Sequence, residues 1–159
     1  ARHFGFDIVV EITGDCPLVD IRESDKVIAR FLEAGVDLAS NNLICTYPIG
    51  MDTIVMSSRV LELAAAQATD PVHREHVCLY LYEHPYDFIF SNIEAPPFLR
   101  GPGLRMTLDE PEDYAFICQV YEHLYQAKPD FSLYDIMKLI NRHPEMKLVT
   151  STVELKKVR

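Results

Sequence analysis

Two aspartates stand where apolar runs give out: Asp15 after "DIVVEITG" and Asp109 after "LRMTL". Each run is short, aliphatic and bounded by turn formers, so each reads as a strand, the first as an interior one. Gly14 lets the backbone bend or come close to something, and Pro17 prevents the first strand from continuing. In open α/β sheets the carboxyl ends of the strands form the edge where ligands bind. Brought together there, Asp15 and Asp109 would make a hard, oxygen-rich site suited to Mg²⁺, which takes one or two protein carboxylates and completes its shell with water and phosphate. On spacing alone the plainer reading, two independent turn aspartates, stands beside it.

Other residues carry possible chemistry. Arg74 in "HREHV" could grip a carboxylate or phosphate with its planar fork, and His76 could bond a hydroxyl or move a proton. Helical neighbours point in different directions, so at most two of Arg74, Glu75 and His76 face one ligand. The alternative is an exposed Arg-Glu pair beside a half-buried histidine. Asn41 and Asn42 place paired amides at a strand end, which suits sugar recognition or a β-turn. Asp52 in "TYPIGMD" reads equally as a turn aspartate or a contact to hydroxyls. Tyr80, Tyr82, Tyr86, Phe88 and Phe90 read as core or dimer contacts, and His3, His73, His84, His123 and His143 as surface or helix-end residues.

Alternating elements must position these groups. Strands are expected over "DIVVEIT", "VDLASNN", residues 53–56, "DFIFSNIEAPP" and "LRMTLD". A helix runs from a cap at Asp20 to a stop at Gly35, and another follows Ser57 or Ser58. A single helix is expected from Thr69 or Asp70 to Pro85, with Pro71 at its first position. Residues 111–127 form a helix with Tyr114, Ile117, Val120, Tyr121 and Leu124 on one side, and Ser132 with Asp135 makes a capping box for the last. The pattern predicts a three-layer αβα domain with a mostly parallel sheet.

At 159 residues and 48% hydrophobic content the chain can bury a real core, and its net charge of −9 opposes broad binding to nucleic acid or an anionic membrane. Cys16, Cys45, Cys78 and Cys118 are widely spaced and read as buried reduced thiols of a cytoplasmic protein. "ARHFGFD" resembles the last turn of a helix with Gly5 as its stop, so the expectation is a domain incomplete at its N-terminus.

"ITGDCPLVD", "SNNLICTYPIGMDTIV", "ATDPVHREHVCLYLYEHP", "LRMTLDEPEDYAFI" and "PDFSLYDIMKLINRHPE", in this order, resemble the spore-coat polysaccharide biosynthesis type of cytidylyltransferase, relatives of the acylneuraminate and ketodeoxyoctonate cytidylyltransferases. The resemblance implies a nucleotide-diphospho-sugar transferase fold, with residues 1–146 as its C-terminal part and 147–159 as a tail or edge strand. It implies transfer of CMP from CTP to an acidic sugar with release of pyrophosphate, Mg²⁺ on Asp15 and Asp109, and a homodimer. It also implies acceptor contacts from Arg74, His76 and the loop holding Tyr47, Gly50 and Asp52, with Gly14 and Asn41 beside them. The Gly-, Arg- and Lys-rich loop that cradles CTP in this family is not found in the chain; "LRGPGLR" does not open a helix. The alternative is a non-catalytic sugar-binding or dimerisation module.

Overall fold

The computed structural model describes residues 1–76 and 78–146. The tail expected over 147–159 lies outside them. Four strands form one sheet: β1 (Ile8–Glu11), β2 (Leu38–Ser40), β3 (Ile54–Ser57) and β4 (Phe90–Asn92), in the order β1-β3-β2-β4. β3 runs antiparallel to both neighbours and β2 runs parallel to β4, so three strands point one way and β3 points against them. The sheet is therefore mixed rather than purely parallel.

Side-chain alternation along β2 and β3 divides the core into layers. Val55 and Ala39 face α1 (Ile21–Ala34), whose Val27 is fully buried between them. Leu38, Ile54 and Met56 face the other way, under Val60 and Ala64 of α2 (Ser58–Gln67) and Leu81 of α4 (Leu79–Glu83). A third cluster joins Met51 and Met106 to Phe116 and Val120 of α5 (Pro111–Leu124) and to Leu133, Ile136 and Ile140 of α6 (Leu133–Arg142).

Local signals set the helix ends. Asp20 accepts the Arg22 amide at 2.9 Å and Gly35 closes α1 at φ 61°, a left-handed conformation that favours glycine. Ser57 caps α2, and Ser132 and Asp135 form the capping box of α6.

Five expectations change. β1 is an edge strand, with Ile8 40% and Val10 42% exposed; among the described residues β3 is its one partner. "LRMTLD" forms no strand; it touches residue 49 through an isolated bridge at Arg105. The helix expected up to Pro85 is two pieces, α3 (Pro71–Glu75) and α4, with His76 extended at φ −107° and ψ 95° between them. α3 buries no residue, whereas Cys78 and Leu81 enter the core, and a short helix without a buried face has little to prolong it. On α5 it is Phe116 that fills the core, while Tyr114 is 61% exposed. Of the four free cysteines, Cys45 is exposed rather than buried.

Candidate functional site

The register Glu11↔Ile54↔Ser40↔Asn92 puts the carboxyl ends of β1, β2 and β4 on one edge, beside the start of β3. Asp15 and Asn41 follow their strands there, and Asp52 precedes β3. Gly14 and Asp15 occupy the centre of a turn closed by the Cys16 amide on the Thr13 carbonyl (3.3 Å). Thr13 Oγ1 lies 3.0 Å from the Cys16 thiol, and burial pushes that thiol up to about 11, so it stays protonated beneath the turn.

The segment carrying Asp109 is threaded into this edge without being a strand. Ile49 and residues 104–106 exchange backbone hydrogen bonds of 2.9 and 2.8 Å, and the Leu108 amide donates to the Asp15 carbonyl at 2.8 Å. That last bond sets the turn of Asp15 against the residue next to Asp109. Gly50, at φ 96°, permits the approach: a Cβ there would stand 2.9 Å from the Met106 carbonyl carbon. Its role in the structure is to let two backbones meet.

Asp109 is held by a residue that spacing did not single out. Arg105, 7% exposed, bonds Asp113 through Nε at 2.9 and 3.1 Å and pairs with Asp109 Oδ2 through Nη2. Burial works against charge on Asp113. The Arg105 bonds and the amides of Asp109 and Glu110 outweigh it and hold this carboxyl below the usual range. Arg105 lies four residues before Asp109 and eight before Asp113, a spacing that suggested nothing in a presumed strand.

Asp52 faces the same edge. Burial first, and then the charge of Asp15, raise its carboxyl above the ordinary range, while a hydrogen bond from Asn42 opposes the rise. Asn42 is oriented in turn by Ser40 Oγ, 2.6 Å from its Oδ1. Asn41 is 1% exposed; it donates to Met51 O at 2.7 Å and accepts from the Thr53 amide at 2.8 Å. These bonds clamp the backbone around Asp52 and leave Asn41 a structural role. Tyr47 is likewise removed from the surface: its hydroxyl donates to Glu23 Oε2 at 2.7 Å within the core.

Arg74 and His76 are exposed on and beside α3. Arg74 lines a cavity of about 170 Å³ with Leu61, Ala64, Ala68, His73 and Tyr80, between α2 and the α3–α4 segment. Neither Asp15 nor Asp109 lines that cavity. His73, read as a surface residue, has a side chain only 14% exposed and bonds Glu83 at 2.7 Å. A Cβ on Gly14 would meet nothing within 4 Å, so open space lies beside Asp15.

The donor chemistry fits Mg²⁺ in a limited way. Asp15 and Asp109 would supply two hard oxygen ligands, and Arg105 bonds only Oδ2 of Asp109. Among the described residues no group of three or more His, Cys, Asp or Glu side chains converges on a metal position, so most of the shell would be water and ligand oxygen.

Sheet, helical layers and acidic edge define an α/β domain of the nucleotide-diphospho-sugar transferase kind. A cytidylyltransferase structure from Leptospira borgpetersenii serovar Hardjo-bovis superimposes with a TM-score of 0.86 at 25% identity, over 99% of this chain and 64% of that one. The spore coat polysaccharide biosynthesis protein SpsF of Bacillus subtilis is 31% identical over 139 residues, 87% of this chain and 56% of that protein. The uncharacterised protein MJ1063 of Methanocaldococcus jannaschii is 30% identical over all 159 residues, 63% of its own length. No family model matches. In sequence and fold the chain is similar to these spore-coat polysaccharide biosynthesis and cytidylyltransferase proteins, and it spans 56–63% of the length of the curated relatives it matches. Among the described residues no helix is long and apolar enough to cross a membrane.

Proposed function

We propose that the chain forms the metal- and acceptor-binding part of a nucleotidyltransferase that transfers CMP from CTP to an acidic sugar in polysaccharide or surface-glycan biosynthesis. The acceptor's anomeric hydroxyl attacks the α-phosphorus, the bond to the bridging oxygen of the β-phosphate breaks, and pyrophosphate leaves. Asp15 and Asp109 hold Mg²⁺, which when bound neutralises triphosphate charge and aligns the reacting oxygens. Arg105 fixes Asp109 at the edge, and Asp52 with Asn42 takes acceptor hydroxyls. Arg74 and His76 contact the acid end of the sugar, and the enzyme works as a homodimer in the cytoplasm.

The observation that carries this reading is the hydrogen bond from the Leu108 amide to the Asp15 carbonyl, 2.8 Å, which joins two carboxylate-bearing turns 94 positions apart at the ligand edge of the sheet. The relatives named above support the reaction class. Its test is pyrophosphate release from CTP, Mg²⁺ and a panel of acidic sugars, by this chain and by this chain joined to the remaining length of its relatives. Release that needs both CTP and an acidic sugar is expected. Folded protein that releases none in either form favours the second reading, a non-catalytic sugar-binding or dimerisation module. One observation supports that alternative: Asp109 already has an ion-pair partner in Arg105.

A further inference from the structure

We propose that the cavity walled by Asn42, Leu43, Tyr82, Pro85 and Phe90 receives the neutral, hydroxylated ring of the acceptor, and that Tyr82 and Asn92 help to select it. The inference rests on the reading of the chain as the acceptor-binding part of a nucleotidyltransferase.

Position comes first. Asn42 lines the cavity and stands two residues beyond the end of β2, next to Asn41 at the acidic edge, so the cavity adjoins that edge through one residue. At about 370 Å³ it has room for a sugar ring, which small-ligand clefts of roughly 300–1,000 Å³ hold. Its chemistry comes next. Among the described residues no cation lines it, and the acidic edge lies beyond Asn42, so a carboxylate or phosphate would meet negative charge without a counter-ion. Phe90, Tyr82 and Pro85 offer flat apolar faces to the C–H face of a ring, and the Asn42 amide offers a polar rim. That combination suits the uncharged portion of a sugar and excludes its acid end.

A second observation points the same way. The Tyr82 hydroxyl and the Asn92 amide nitrogen are shielded from solvent without hydrogen-bond partners. Asn92 lies two residues along β4 from Phe90 and therefore on the same face, while its Oδ1 already accepts from the Ile44 amide at 3.2 Å. Buried donors left unpaired cost about 1–3 kcal/mol each, so Tyr82 in the wall and Asn92 two residues beyond Phe90 mark donor capacity that ligand hydroxyls would take up. Tyr82 and Phe90 also pack against the core, as their sequence reading expects, and the end of β2 arrives beside them.

The test follows side-chain amide signals of the ¹⁵N-labelled chain by NMR, during titration with N-acetylneuraminate and with ketodeoxyoctonate. One of the sugars is expected to shift the Asn42 and Asn92 side-chain amides saturably. Tyr82→Phe, which keeps the ring, should weaken that binding three- to tenfold, the loss of one hydrogen bond. Asn92→Asp, which keeps the acceptor for Ile44 and deletes the donor, should weaken it too. Saturable binding that leaves both amides unmoved, binding untouched by Tyr82→Phe, or no saturable shift with either sugar overturns the inference. A Mg²⁺ titration of the same sample, read at the backbone amides of residues 15 and 109, reports separately on the underlying reading, which fails if those signals do not move.

Discussion

At the scale of single residues, Asp52 and Asp20 show how a carboxylate can serve site or scaffold. Asp52 is half-buried and faces Asp15, so its charge costs the fold something that the ligand edge exploits. Asp52→Asn is expected to raise the thermal midpoint by about 2–4 °C, equivalent to about 1 kcal/mol in a domain of this size, while weakening acceptor binding. Calorimetry beside a binding titration checks both halves, and a lowered midpoint contradicts the account. Asp20 is 6% exposed and accepts two amides, Arg22 at 2.9 Å and Leu133 at 2.7 Å, so it caps α1 and anchors α6 with one group. Asp20→Ala should cost about 2–4 kcal/mol in denaturant unfolding, a lost cap plus an unpaired amide. The cap was legible in the sequence; the second bond was not, since it joins residues 113 positions apart. Asn41 and Tyr47 illustrate the converse. Their types suit sugar recognition, but their polar atoms are already bonded inside the protein, and no local pattern reveals that.

At the scale of elements, the segment 104–109 decides the site. Periodicity made it a strand; in the structure it is an extended connection held by Ile49, Gly50 and Asp15. Gly50→Ala should therefore destabilise the fold and shift Asp109, because φ 96° and a 2.9 Å contact with backbone leave no room for a methyl group. Gly14→Ala should leave stability within about 0.5 kcal/mol, as its surroundings are open. Parallel thermal melts of the two variants separate a glycine required by packing from one required only by a ligand. The helix starts were readable because caps are local. The break between α3 and α4 was not, since it follows from which of Cys78, Leu81 and α3 reach the core.

At the scale of the molecule, acid should loosen the half built from α5 and α6 first. Asp113 lies below the usual carboxylate range, and Asp135 is held at about 2 by Lys128 and the Ser132 amide. Both values are depressed relative to an unfolded carboxyl near about 3.9, so their stabilisation is complete above that pH and is lost as pH falls through the folded values. Amide exchange followed downward from pH 5 should show α5 and α6 losing protection as these carboxylates protonate; stability constant down to pH 2 would contradict it. Layering and helix order were legible from hydrophobic period. The edge position of β1 and the reversed β3 were not, because strand order is set by partners far along the chain. The most direct test of the central claim, that Asp15 and Asp109 act as one metal site, is Mn²⁺ binding by this chain, followed by electron paramagnetic resonance. One Mn²⁺, displaced by Mg²⁺ and bound at least tenfold more weakly after Asp15→Asn or Asp109→Asn, is the predicted result. Equal affinity in the parent and both variants would contradict it.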